Sequence, residues 1–154
     1  MTFQAFPPRD ETVPPEPFVE ARIGTAGFRT QLSVRGHVLL ADEPVGVGGR
    51  DAGPTPYEYL LAAIGSCTAM TVRMYADRKA WPLREVVVRL WQDRSYADDC
   101  ARCETERVGV QRVQRQIRLG GDLDDAQRER LLAIADRCPV KQTLGECIEI
   151  VRVE

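Results

Sequence analysis

Apolar and polar side chains alternate along residues 18–41, as they do in strands that bury one face. Glycines interrupt this alternation twice, so two or three short strands are predicted, over residues 18–23, 28–34 and 37–41. The next stretch, DEPVGVGGRDAGP (residues 42–54), is rich in Gly and Pro and has no period, which predicts a loop.

A long helix is predicted directly after this loop. Thr55, Pro56 and Glu58 form a helix start signal, because Thr can cap the first turn, Pro suits the first helical position and Glu can reach back to the cap. Apolar residues then recur at three- and four-residue spacings to about residue 79, and Pro82 ends the pattern. A helix of about 36 Å, at about 1.5 Å per residue, is expected at the centre of the fold.

The second half of the chain mixes strand and helix patterns. Two strands are predicted over residues 85–92 and 108–119, with Gly120 and Gly121 as the stop of the second. The predicted order closes with a helix, a shorter helix and a strand, over residues 124–137, 139–144 and 147–153. This grouping of strands and helices indicates an α+β fold.

The composition is that of a globular domain. The chain has 154 residues, of which 44% are hydrophobic and 29% charged, which excludes a disordered chain and a membrane-spanning one. The 21 basic and 23 acidic residues leave a net charge of −2, so we expect neither a nucleic-acid nor a membrane partner. Five of the ten prolines fall within residues 1–17, which predicts a flexible N-terminal tail before one domain over residues 18–154.

Five cysteines raise the question of chemistry. The chain does not begin with a basic stretch followed by an apolar run, so no secretion signal is predicted and a cytoplasmic location is expected. Cysteines in the reducing cytosol persist as thiols. We therefore interpret all five as thiols, namely Cys67, Cys100, Cys103, Cys138 and Cys147.

Two of these thiols lie in settings that suit sulfur chemistry. Cys138 precedes Pro139, which must break one helix and can begin the next, so its sulfur lies at a helix N-terminus, where a thiolate is stabilised. Cys67 lies in the middle of the long helix beside Gly65 and Ser66, whose small size permits the close approach of another element or a ligand. From the pattern alone, Cys67 is either a small core residue or a reactive thiol.

The other three thiols are less informative. Cys100 and Cys103 form a C-x-x-C pair in a polar segment that predicts a hairpin loop. That pair is compatible with three interpretations: an accessory loop, an exposed redox pair, or half of a zinc site that is shared across a dimer. Cys147 alternates with Ile148 and Ile150 in the last predicted strand, which favours a packing role.

Two segments carry both candidate thiols in a distinctive context. One is GPTPYEYLLAAIGSCTAMTVRMYA (residues 53–76), a Pro-x-Glu helix start ahead of a small-residue run that ends in Cys67. The other is DRCPV (residues 136–140), with Cys138 lying 71 residues after the first thiol. Together they resemble the two cysteine motifs of the OsmC/Ohr superfamily, the osmotically inducible and organic hydroperoxide resistance proteins. The resemblance implies an α+β, OsmC-like fold in an intertwined homodimer, with mixed sheets wrapped around two long central helices.

The resemblance also implies an activity. The better-known family members are thiol peroxidases for organic hydroperoxides, and the motif match gives Cys67 the peroxidatic role and Cys138 the resolving role. The Cys67 thiolate would attack the hydroperoxide, leaving an alcohol and a sulfenic acid, and Cys138 would condense with the sulfenic acid to a disulfide. A dithiol reductant, such as a lipoyl group on a protein, would then reduce the disulfide by exchange, and no metal or other cofactor is required.

The residue that activates the thiol is left open by the sequence. In the best-studied branches it is an Arg in the loop before the Pro-x-Glu helix, beside a Glu that directly follows the Pro. Here Tyr57 follows Pro56, Glu58 comes one position later, and Arg50 lacks the matching context. Glu58 is therefore both a candidate site residue and a helix cap. The fallback candidates for the cation are Arg29 and Arg35.

His37 is the only histidine and lies in a second recognisable segment. GHVLLADEP (residues 36–44) is similar to a more divergent OsmC-like branch, in which a Gly-His and a following Asp recur. His37 is either a strand residue whose ring is satisfied by backbone groups or the group that keeps Cys67 ionised in place of the Arg.

Two functions of other classes are also compatible with the residues. In the first, an apolar cleft binds a fatty acid-like ligand, and the cysteines are retained without a chemical role. In the second, the chain is a redox sensor whose Cys67–Cys138 disulfide alters a partner contact without fast turnover.

Overall fold

The computed structural model describes residues 18–92 and 113–145, and these contain five strands and three α-helices. The elements are β1 (Glu20–Ile23), β2 (Thr30–Val34), β3 (His37–Ala41), α1 (Pro56–Arg78), β4 (Leu83–Gln92), β5 (Val113–Gly121), α2 (Asp125–Ala135) and α3 (Pro139–Gly145). This confirms the predicted α+β class.

The chain divides into two compact units, Met1–Pro56 and Tyr57–Glu154. That residues 18–154 form one domain stays a prediction. Several further predictions lie outside the described residues, namely the tail over residues 1–17, the loop with Cys100 and Cys103, and the strand over residues 147–153 with Cys147.

The first unit contains an antiparallel sheet in the order β1-β2-β3. Ile23 pairs with Thr30 across the first turn, and Val34 pairs with His37 across the second. The second turn has only two residues, Arg35 and Gly36, and both have positive φ angles, of 47° and 80°. Such a turn matches the twist of the strands. The predicted meander is confirmed, and it has three strands.

A buried carboxylate organises the predicted loop between β3 and α1. Asp42 is 2% exposed and accepts hydrogen bonds from the backbone N–H groups of Glu43 (2.8 Å), Arg50 (3.1 Å) and Ala52 (3.2 Å). Burial alone would raise the pKa of Asp42, but these donors and the charge of Arg50 hold that pKa below its usual value. The same loop contains one short 3-10 turn, Val45–Val47.

Helix α1 forms the core of the second unit. Its buried residues recur every four positions and therefore line one face, and they are Ile64, Thr68, Val72 and Ala76. Val72 and Ala76 pack in an apolar cluster with residues of β4 and α2 and of the turn between β5 and α2, which are Leu83, Leu123, Leu131 and Ala135. The helix ends at Arg78, close to the predicted end, before Ala80 adopts a φ of 52°.

Strands β4 and β5 pair antiparallel and extend further than predicted. Gly120 and Gly121 were expected to stop the second strand, and that expectation is wrong, because Gly120 pairs with Glu85 and Gly121 pairs with Leu83. A Cβ atom on Gly121, whose φ is 138°, would lie 2.2 Å from the Pro82 carbonyl oxygen. Glycine at this position therefore permits the close approach of β5 to the segment that begins β4, and the hydrogen-bonded ladder between the two strands stays intact.

The break between α2 and α3 lies where it was predicted. Asp124 caps α2 by accepting from the Gln127 N–H at 2.7 Å, while the Gln127 side chain accepts from the Asp124 N–H at 3.1 Å. Helix α2 ends at Ala135, and α3 begins at Pro139. Cys138 thus occupies the last position before α3, at the junction of the two helices.

Candidate active site

Cys67 and Cys138, 71 residues apart in sequence, are neighbours in the second unit, and each thiol lies close enough to the other to shift its pKa. Cys67 lies on α1 and is partly buried, whereas Cys138 is completely buried. Close packing on α1 follows from its small residues, as predicted: a Cβ atom on Gly65 would lie 3.0 Å from the Leu90 Cδ1 atom of β4.

Several donors converge on the Cys138 sulfur. Burial alone would raise the pKa of this thiol, but the Cys67 thiol, the backbone N–H groups of Lys141 and Val140 and the Thr68 hydroxyl together lower it below the usual value. When Cys138 carries its proton, the sulfur donates to the Ile64 carbonyl oxygen, 3.9 Å away. The surroundings of Cys138 therefore favour its thiolate.

The surroundings of Cys67 have the opposite effect. Burial raises the pKa of the Cys67 thiol, and so does its hydrogen bond to Cys138. The Val140 N–H and the Thr71 side chain partly offset this rise. The Thr71 hydroxyl also donates to the Cys67 carbonyl oxygen at 2.8 Å. The surroundings therefore raise the pKa of Cys67 and lower that of Cys138, and the two thiols titrate as a coupled pair.

A charged cluster flanks Cys138. Asp136 Oδ1 accepts from both Arg115 (2.7 Å) and Lys141 (2.8 Å), which hold the pKa of Asp136 below its usual value. Arg115 also donates to the Ala135 carbonyl oxygen at 3.1 Å. Two cations against one carboxylate leave this cluster with one excess positive charge.

The other residues predicted from the sequence lie on other segments of the chain. Glu58 is exposed on the first turn of α1, nine residues and about 14 Å of helix before Cys67, so the structure does not bring it to the sulfur pair. His37 is exposed at the start of β3, in the first unit, whereas the thiol pair belongs to the second. The fallback cations Arg29 and Arg35 are also exposed residues of the first unit.

Sequence reasoning missed four residues around the thiols: Thr68, Thr71, Arg115 and Lys141. The two threonines follow Cys67 by one and four positions, and the second of these spacings places a residue on the same helix face. Arg115 could not be distinguished by type, since 19 of the 21 basic residues are Arg.

The described residues contain neither a cluster of metal-ligating side chains nor a membrane-spanning helix. In residues 18–92 and 113–145, His, Cys, Asp and Glu side chains do not gather in groups of three or more that could hold a metal ion. No helix in those residues combines the length and the hydropathy needed to cross a bilayer.

Comparisons with known proteins agree with this fold. The family model described as OsmC-like protein matches residues 48–151. The OsmC-like protein of Mycoplasma pneumoniae is 15% identical with a TM-score of 0.66, covering 86% of this chain and 89% of its own. An organic hydroperoxide resistance protein OsmC of Legionella pneumophila is 17% identical with a TM-score of 0.57. The match covers 82% of this chain and 87% of that protein.

The organic hydroperoxide resistance protein OhrB of Bacillus subtilis is 19% identical with a TM-score of 0.52, covering 83% of this chain and 90% of its own. At such identities the three solved structures establish the fold alone. No curated protein matches the chain.

Proposed function

Because the chain belongs to the OsmC-like protein family, we propose that it is a thiol-dependent peroxidase that reduces organic hydroperoxides. The observation that carries this proposal is the contact between the Cys67 and Cys138 side chains. A reactive thiol beside a second thiol is the arrangement that peroxide reduction through a disulfide requires. Two of the similar solved structures are named for organic hydroperoxide resistance, which is consistent with the same substrate class here.

In this proposal the two sulfur atoms have different roles, because they differ in their exposure to solvent. Cys67 is partly exposed and Cys138 is fully buried, so an incoming hydroperoxide reaches Cys67 first. Cys138, whose surroundings favour the thiolate, accepts the Cys67 proton. The Cys67 sulfur then attacks the outer oxygen of the hydroperoxide, the O–O bond breaks, and the departing alkoxide takes a proton from water to give the alcohol.

The second half of the cycle uses both thiols. The attack leaves a sulfenic acid on Cys67, and the Cys138 sulfur displaces its hydroxyl group as water to form the disulfide. Two electrons and two protons from a dithiol then restore both thiols by exchange. In sum, two thiols and one hydroperoxide give a disulfide, an alcohol and water.

The test is the consumption of cumene hydroperoxide in the presence of dihydrolipoamide. The wild type should turn over many times and Cys67→Ser should be inactive. Cys138→Ser should not turn over repeatedly, because it lacks both the thiolate that accepts the Cys67 proton and the thiol that resolves the Cys67 sulfenic acid. Ser66→Ala is the matched control, because Ser66 is exposed beside Cys67 and its hydroxyl donates only to the Ala63 carbonyl oxygen among the contacts of the described residues. Equal rates for the wild type and Cys67→Ser would refute the proposal.

Two other outcomes would identify different functions. Stoichiometric oxidation of the wild type without further turnover would indicate a redox sensor. A copurified fatty acid detected by native mass spectrometry, with no turnover, would indicate a binding protein.

The proposal extends to a homodimer, because OsmC/Ohr homologues are usually dimeric. Met70 and Met74 lie one turn apart on α1 and are each 63% exposed, so this helix presents apolar surface away from the core of its own unit. Sedimentation equilibrium should give twice the chain mass of 17.3 kDa, and a monomer at micromolar concentration would contradict this extension.

A further inference from the structure

One pair of residues in the β4–β5 ladder contacts the chain shortly before each thiol. The pair consists of Leu90 on β4 and Arg115 on β5, which lie opposite each other. Leu90 packs against α1 at Gly65, two residues before Cys67, where a Cβ atom would lie 3.0 Å from Leu90 Cδ1. The sheet therefore supports the part of α1 that carries the first sulfur atom.

Arg115 connects the same point of the sheet to the junction between α2 and α3, which carries Cys138. Its Nη1 atom donates to the Ala135 carbonyl oxygen at 3.1 Å, and its Nη2 atom donates to Asp136 Oδ1 at 2.7 Å. The first bond satisfies one of the last carbonyl groups of α2, which lack partners within the helix. Lys141 of α3 donates to the same Asp136 oxygen at 2.8 Å, so Arg115 and Asp136 join the strand to both helices.

A disulfide requires exact placement of both cysteines, because their Cβ atoms must come within about 3.5–4.5 Å of each other. We propose that Arg115 is a positioning residue that holds Cys138 at disulfide-forming distance from Cys67. A guanidinium group suits this role, since its planar fork fixes a carbonyl and a carboxylate at the same time. The Arg115 side chain is only 20% exposed, which limits competition from water for these bonds.

This role rests on the peroxidase cycle proposed above, in which the Cys138 sulfur displaces the hydroxyl group of the Cys67 sulfenic acid. It adds to that cycle the group that keeps the two sulfur atoms within reach. Arg115 acts through the junction, because its described bonds go to Ala135 and Asp136 and none goes to either sulfur.

The equilibrium of the two thiols with glutathione measures their placement. Oxidised glutathione takes two electrons and two protons from the pair, which gives the Cys67–Cys138 disulfide and two molecules of reduced glutathione. In Arg115→Met the new bond must itself hold the junction, so the equilibrium constant should fall about tenfold, as the loss of one charge-assisted hydrogen bond predicts. Mass spectrometry of the alkylated full chain measures the fraction in which these two cysteines are joined.

Arg128→Met is the matched control for a general loss of stability. Arg128 also donates to backbone carbonyl oxygens of this unit, but it does so around the start of α2, at the opposite end of that helix from the junction. Both variants should unfold at a lower temperature, and only Arg115→Met should lower the equilibrium constant. Arg115→Lys keeps the charge without the fork, so its constant should lie between those of the wild type and Arg115→Met, and it supplies the comparison if Arg115→Met does not fold.

The outcomes separate this inference from the proposed function. Wild-type constants in Arg115→Met and Arg115→Lys, or an equal fall in Arg128→Met, would overturn the positioning role and leave the peroxidase proposal intact. A fall confined to the Arg115 variants would support the positioning role, whether or not the wild type reduces cumene hydroperoxide. Absence of the disulfide from the wild type in every glutathione buffer would overturn both proposals.

Discussion

The substitution Thr68→Val removes one buried hydroxyl from the thiol pair. Thr68 follows Cys67 on α1 and is fully buried, and within the described residues its Oγ1 atom makes no hydrogen bond of standard geometry. The hydroxyl nevertheless lies close enough to the Cys138 sulfur to contribute to the lowered pKa of that thiol. Valine keeps the branched shape and replaces the hydroxyl with a methyl group.

The expected effects on the thiolate and on stability have opposite signs. A well-aligned hydrogen bond to a charged group is worth about 1.5–3 kcal/mol, and about 1.4 kcal/mol corresponds to tenfold, so loss of this less well-aligned contact should lower the thiolate fraction of Cys138 by up to about tenfold. While Cys138 carries its proton, the Thr68 hydroxyl has no such charged partner, and a buried hydroxyl without a partner costs about 1–3 kcal/mol, which valine removes. At about 2–4 °C per kcal/mol for a chain of this size, Tm measured at a pH where Cys138 is protonated should rise by several degrees.

Two measurements check this prediction. The ultraviolet absorbance of the thiolate, followed against pH, should show its Cys138 component moving to higher pH in Thr68→Val, and calorimetry should show the higher Tm. Thr143→Val on α3 is the control, because that hydroxyl donates to the Pro139 carbonyl oxygen at 3.0 Å and is not one of the groups described above as acting on either sulfur. An unchanged thiolate titration together with a lower Tm would refute the reasoning.

Three further predictions concern the framework around the site. Leu131→Ala, at a fully buried core position, should lower the free energy of unfolding by about 2–5 kcal/mol, whereas Leu132→Ala, at a 43% exposed neighbour, should lower it by much less; urea unfolding measures both. Asp42→Asn should lower Tm at pH 7. Because the pKa of Asp42 is lowered in the folded state, this loss should be complete above the unfolded pKa and should shrink as pH falls through the folded pKa. Arg128 donates to the carbonyl oxygens of three residues around the start of α2, so Arg128→Met should lower Tm more than Arg128→Lys, which retains one charged donor.

Local signals in the sequence were sufficient to predict α1 and the junction before α3. The Pro56 and Glu58 signal begins a helix where expected, and Pro139 restarts one where the chain must break. These predictions succeed because a proline restricts its own backbone whatever packs around it. The end of β5 could not be predicted in this way, since Gly121 continues the strand by pairing with Leu83, which is distant in the sequence.

The candidate site depends on contacts between elements distant in the chain. No spacing rule brings Cys67 to Cys138, and the pairing was expected from family resemblance alone. Thr68 and Arg115 carried no distinguishing signal, because a buried hydroxyl and one arginine among many are recognised only once the sulfur beside them is located. The sequence signal around Glu58 was strong, but it is a signal for the start of a helix, and Glu58 lies in the first turn of α1.

The distance in sequence between the two thiols links the redox state of this protein to its folding. A bond between Cys67 and Cys138 would close a loop of about 70 residues, which in the chain-entropy account stabilises the folded state by about 4 kcal/mol. By thermodynamic linkage, folding then lowers the reduction potential of that disulfide by about 90 mV relative to the unfolded chain. Each reduction step would return the protein to its less stable form, so the cycle requires a strongly reducing dithiol.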